Sequence, residues 1–225
     1  MLRHNQKKSG RVENFLMINR IFYFLILLII LCSSVFTYPQ NKLKEKKSYI
    51  STNKSDGSFK LSESGSSSPL YASSKDYSGV LRVLSHLQND IYKVTDAKPE
   101  ILMDTNPKSG DIVIIGTLGK NELIDGLVQK KKLNVDDLKG KLETFLIQAV
   151  VNPFNGVENA LVIIGSDKRG TIYGMYDLAE KIGVSPWYWW ADVPVKKKSS
   201  IYVLPGRYTM GEPKVKYRGI FLPVP

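Results

Sequence analysis

Thiols and imidazoles are scarce in this chain. Among 225 residues there is one cysteine, Cys32, and there are two histidines, His4 and His86. Cys32 lies inside an apolar run, so removal of that run, or its burial in a membrane, leaves no thiol. That excludes disulfides, thiolate metal sites and a cysteine nucleophile. His4 belongs to the leader, so a Ser-His-Asp triad or a multi-histidine metal site would have to rest on His86 alone. A helix predicted over Asp76 to Ile91 carries the apolar stripe Val80, Leu84, Leu87 and Ile91. His86 falls off that stripe and reads as a solvated surface residue. Two glycine-bearing segments, Gly116–Lys120 and Gly165–Gly170, lack the GxGxxG pattern. In the first, Asn121 stands where a phosphate loop needs Ser or Thr, and Ile114 where it needs its first Gly; in the second, Thr171 and Ile172 replace the Lys-Ser/Thr ending. Both read as strand-to-helix turns, which excludes ATP or NAD as the expected ligand.

The formal charge of +11 suggests a nucleic-acid partner until it is located. Residues 1–60 hold 11 basic and 3 acidic residues, which leaves 21 against 18 in the remainder. The folded part is nearly balanced, so no nucleic acid is expected. Composition is ordinary for a globular protein at 43% hydrophobic and 24% charged. Residues 21–36 form an uncharged apolar run, short for a membrane span and suited to a secretory signal. Arg3, Lys7, Lys8, Arg11 and Arg20 precede it, and translation from Met17 rather than Met1 would give a more usual n-region. The first reading is a signal peptide over 1–36 and a secreted product. The second is an uncleaved anchor in 21–36, which would make the leader the membrane contact. A lipoprotein signal at Cys32 is weaker, because Leu31 occupies a small-residue position. Asn41 to Ser68, rich in Lys and Ser, predicts a linker, with residues 37–57 as its bounds ahead of the globular pattern.

From about Phe59 the pattern becomes globular, with an α/β (α+β) domain over 58–212. Strands are predicted at Asp111–Gly116, Thr144–Val151, Ala160–Ile164 and Ile201–Leu204. Helices are predicted over Asp76–Ile91, Lys120–Lys130 and Ser166–Ile182. The last has the stripe Ile172, Tyr176, Ala179 and Ile182, a cap at Ser166 or Asp167, and Gly183 as its stop. Asn152–Gly156 supplies turn chemistry for a hairpin, so a mixed sheet flanked by helices is expected. All three tryptophans fall in Trp187-Tyr188-Trp189-Trp190. Such a cluster fills a core, covers an interface or stacks on sugar rings, and composition favours the first two. Asp192 beside it is either a capping residue or a carboxylate facing a cleft.

Gly165-Ser166-Asp167-Lys168-Arg169-Gly170-Thr171-Ile172-Tyr173-Gly174, the run Gly183 to Pro194, and Tyr217-Arg218-Gly219-Ile220-Phe221 together resemble glycoside hydrolase family 115, the xylan α-1,2-glucuronidases. Gly116–Gly119 and Ala160–Ile164 fit the same pattern, and the resemblance spans about residues 58–221. It implies an N-terminal α/β domain followed by a (β/α)₈ barrel that carries the chemistry, a helical domain and a β-sandwich. It also implies inverting removal of (4-O-methyl-)glucuronic acid from glucuronoxylan without cofactor or metal. Inversion needs two carboxyl groups about 6.5–9.5 Å apart. In the family an acidic Asn-Asp-Glu-type stretch follows the Tyr-Arg-Gly-Ile-Phe motif as the first barrel strand ends, whereas here Leu222-Pro223-Val224-Pro225 follows. Residues 213–225 are thus expected to be only the start of a barrel, and no catalytic acid or base is nominated. Asp192, Trp187, Trp189, Trp190, Lys168 and Arg169 match family motifs and are the candidates for a substrate cleft or a domain interface. The alternative is a non-catalytic carbohydrate-binding module for acidic xylan.

Overall fold

The computed structural model describes residues 26–27, 48–105 and 110–219. Two units divide the chain, 1–46 and 47–225. In the first unit only Ile26 and Leu27 are described, both helical. The remainder of the predicted leader, with His4, Cys32 and both candidate start methionines, lies outside the described residues, as do residues 220–225. Among the described residues no helix is long and apolar enough to cross a membrane.

The second unit is built from two sheets and three helices. In chain order they are β1 (Ile50–Ser51), β2 (Phe59–Glu63), β3 (Ser66–Ser67), β4 (Leu70–Ala72), α1 (Ser78–Thr95), β5 (Ile101–Met103), β6 (Gly110–Thr117), α2 (Glu122–Gln129), β7 (Phe145–Val151), β8 (Val157–Gly165), α3 (Lys168–Ile182), β9 (Ser200–Val203) and β10 (Arg207–Met210). The larger sheet runs β10-β7-β8-β6-β4-β5. Strands β5, β4, β6 and β8 are parallel, while β7 runs antiparallel to both its neighbours, β8 and β10, with β7–β8 the expected hairpin. The α/β class and the mixed sheet therefore hold, and no closed barrel is found among the described residues.

Alternation within the apolar strands explains the layering. Val113, Ile115, Leu161 and Ile163 face α1, α3 and the smaller sheet, while Ile112, Ile114, Val162 and Ile164 face α2. Burial on both faces makes these strands read as unbroken apolar runs.

Three expectations need correction. The linker expected at 37–57 contains β1, which joins β9 and, from the predicted domain, β2 and β3 in a four-stranded antiparallel sheet, β1-β9-β2-β3. Tyr49, Phe59 and Leu61 are buried in it. Its serines fit because their hydroxyls are bonded, Ser68 to Lys60 O at 2.6 Å and Ser67 to Ala97 O at 3.0 Å. Helix α1 starts two residues late because Asp76 is held elsewhere. Its carboxylate accepts from the Thr117 amide and hydroxyl, both at 2.8 Å. The buried side of α3 is Gly170, Thr171, Gly174, Met175, Leu178, Ala179 and Ile182, so Tyr176, expected in the core, stands 44% exposed. Gly170 and Gly174 set this rotation, since they let α3 lie directly on β7 and β8.

Candidate functional site

The loop after β8 fixes one end of the site. Asp167 caps α3 by accepting from Gly170 N at 2.8 Å, and its other oxygen accepts from Glu143 N at 2.9 Å. A carboxylate thus occupies the helix N-terminus, where an anionic ligand would otherwise sit. Asn121 caps α2 in the same way and donates to Ile115 O at 3.0 Å, close against Gly116. Both glycine segments are strand-to-helix turns.

Lys168 and Arg169 are exposed in the first turn of α3. Cations there oppose the helix dipole, and Glu143 offsets this for Arg169 with an ion pair of 2.8 Å. Arg218, from the Tyr-Arg-Gly motif, binds the second Glu143 oxygen. Glu143 sits in the left-handed region at φ 54° and its side chain is only 11% exposed. The Arg169 hydrogen bond, followed by Arg218, holds its pKa below the ordinary value.

At the other end, Gly183 closes α3 and Ser185–Trp190 winds into consecutive turns, with Tyr188 N on Ser185 O and Trp190 N on Trp187 O. Trp187, Trp189 and Trp190 are 65%, 79% and 84% exposed, so they are not core residues. Lys93 of α1 lies 4.4 Å from the Tyr188 ring centre and 5.1 Å from that of Trp189, and pairs with Asp90 at 3.3 Å. Burial raises the pKa of Asp90 despite Lys93. Asp192 is exposed at φ 48°.

A groove of about 530 Å³ runs along α3 between these ends, lined by Glu143, Arg218, Tyr173, Tyr176, Asp177 and Trp189 among others. Of the six residues singled out from sequence, only Trp189 lines it. Lys168 and Arg169 lie a helix length from the tryptophans, about 20 Å at 1.5 Å per residue. Sequence reasoning missed Glu143, Asp90, Tyr173, Asp177 and Tyr188, and misplaced Tyr176. One signal was available: Tyr173, Tyr176, Asp177 and Glu180 recur at i, i+3, i+4 and i+7, a second helical face that is aromatic and acidic rather than apolar. Among the described residues no group of three or more His, Cys, Asp or Glu is placed to hold a metal ion.

No family model matches the chain, and no curated protein matches it. A solved structure of a family GH115 4-O-methyl-α-glucuronidase with specificity for decorated arabinogalactans matches 68% of the chain, at 30% identity and a TM-score of 0.53. The matched region is 18% of that protein. This likeness supports a glycoside hydrolase relationship and is consistent with a piece of a family 115 protein. A second solved structure, CpGH84D, matches 69% of the chain and 22% of its own length at 9% identity and a TM-score of 0.38, which carries no argument.

Proposed function

We propose that this chain is the N-terminal α/β part of a family 115 α-glucuronidase, secreted by way of residues 1–36, and without hydrolytic activity of its own. The observation that carries the reading is the 30% identity extending over 68% of the chain. The complete enzyme would remove glucuronic acid side chains from a plant polysaccharide, xylan or an arabinogalactan. A (β/α)₈ barrel takes about 250 residues, more than the 225 of this sequence, and the catalytic carboxylates of the complete enzyme would lie in such a barrel. The exposed tryptophans suit a surface that packs on such a barrel. Their exposure also favours a second reading, a module that holds acidic xylan through Trp187, Trp189 and Trp190. Incubation of the purified chain with glucuronoxylan or a glucuronylated arabinogalactan should release no glucuronic acid, and measurable release overturns the proposal. In gels containing glucuronoxylan, retardation that is lost on Trp187→Ala and Trp190→Ala decides for the module.

A further inference from the structure

We infer that the groove along α3 is a binding site for an uncharged glycosyl unit, separate from any site that handles glucuronic acid. A volume of about 530 Å³ falls within the range of small-ligand pockets, about 300–1,000 Å³. Its walls offer what a sugar ring needs. Trp189 and Tyr176, 79% and 44% exposed, offer aromatic surface for the apolar C–H side of a pyranose. Asp177 presents a carboxylate to accept from sugar hydroxyls. It is held from behind by the Tyr49 hydroxyl, which donates to Oδ2 at 2.7 Å. Burial, then Asp177, raises the Tyr49 pKa far above its ordinary value, so that donor keeps its proton at every working pH. The platform is also preorganised: Lys93, tied to Asp90, lies over Tyr188 and Trp189, whose rings meet edge-on at 5.1 Å.

Charge decides which sugar. Arg218, the cation in the lining, is engaged by Glu143, and the neighbouring Lys93 and Lys181 pair with Asp90 and Glu180 at 3.3 and 3.1 Å. An incoming uronate would find each of these cations beside a carboxylate, with Glu143 shared between Arg218 and Arg169, and would face Asp177, Asp90 and Glu180 of the same lining. A neutral pentose or hexose meets no such repulsion and exchanges its hydroxyl hydration for carboxylate and tyrosine partners. The site therefore takes the undecorated main chain of a polysaccharide. This choice of ligand rests on the proposed function, although the groove chemistry does not.

Calorimetric titration of the full chain with neutral β-1,4-xylo-oligosaccharides and β-1,3-galacto-oligosaccharides tests the proposal and separates the two sugar sources. Saturable binding of at least one is expected, and glucuronic acid should bind more weakly than either. Tyr176→Ala and Trp189→Ala should each weaken binding about tenfold, equivalent to about 1.4 kcal/mol, with unchanged circular dichroism. Tyr92→Ala, which removes an exposed ring outside the groove lining, should leave it intact. Absence of binding to both oligosaccharides overturns the site. So does equal binding by the folded Tyr176→Ala protein, tighter binding of glucuronate, or occupancy by a lysine-rich peptide in place of sugar. None of these outcomes alters the glucuronic acid release assay, which alone judges the hydrolase reading.

Discussion

Glu143 concentrates much of the local electrostatics in one side chain. It adopts φ 54°, a region that non-glycine residues enter only when their surroundings hold them there. Here the hold is threefold: its amide donates to Asp167, and its two oxygens take Arg169 and Arg218. Because the folded pKa is depressed, the stability contributed is fully present above the unfolded value and is lost as pH falls through the folded one. Asp90 slopes the opposite way. Burial raises its pKa, so folding loses stability as pH rises from the unfolded value to the folded one. Glu143→Gln should therefore lower Tm near neutrality and flatten the fall of Tm on acidification below the ordinary glutamate range. Thermal unfolding across that range checks it, and an unchanged acid slope would mean that the triad is only a surface contact. Nothing in the sequence near Glu143 announces this role, since both arginines arrive from distant segments, 26 and 75 residues away.

Helix α3 shows how contact between elements overrides a helical pattern. A Cβ on Gly170 would lie 2.2 Å from Thr144 O, and one on Gly174 would lie 2.9 Å from an Ile163 methyl. Backbone at such range cannot yield as a side-chain tip can, so Gly170→Ala should cost about 3 kcal/mol or more. That corresponds to a Tm drop of roughly 6–12 °C for a chain of this size. Gly126 in α2 is the contrast, with nothing within 4 Å of a built Cβ. Gly126→Ala should stabilise by about 0.5–1 kcal/mol through helix propensity. Calorimetry on the two variants reads opposite signs if α3 lies as closely on β7 as described. The hairpin, the stripe on α1 and the cap of α3 were legible because each is a local signal, Asn152 and Gly156 in the turn, apolar spacing, and Asp167, whereas Asn121, placed inside the predicted helix, is instead the cap of α2. The smaller sheet was not legible. Its strands are as short as two residues and rich in serine, and their order comes from β9, whose partners lie some 140–150 residues earlier in the chain. The groove was half legible, since the tryptophan cluster drew notice while Tyr176 was assigned to the core.

At the scale of the whole molecule, the exposed tryptophans set the behaviour in solution. An aromatic side chain buries about 150–250 Å² when covered, so three rings exposed to 65%, 79% and 84% present on the order of 450 Å² to water. That is within the range, about 300–600 Å², of the largest patch on a typical monomer, a patch that is often functional. Covering it is worth about 11 kcal/mol at 25 cal/mol per Å². Association of separate molecules costs about 4–15 kcal/mol, which cancels from about a third of that gain to all of it. A domain linked in the same chain avoids much of this cost, so the patch suits an intramolecular neighbour better than a free partner. Charge does little to keep copies apart, because residues 61–225 carry 21 basic against 18 acidic side chains. Residues 47–225 alone should therefore bind a hydrophobic dye and associate weakly, with apparent mass rising with concentration rather than settling at a tight dimer. Trp187→Ser with Trp190→Ser should abolish both effects while the fold persists. Light scattering over a concentration series, with dye fluorescence on the same samples, is the measurement. A monodisperse monomer that ignores the dye would show that these rings are covered in solution, and would remove the case for a missing neighbour on this face.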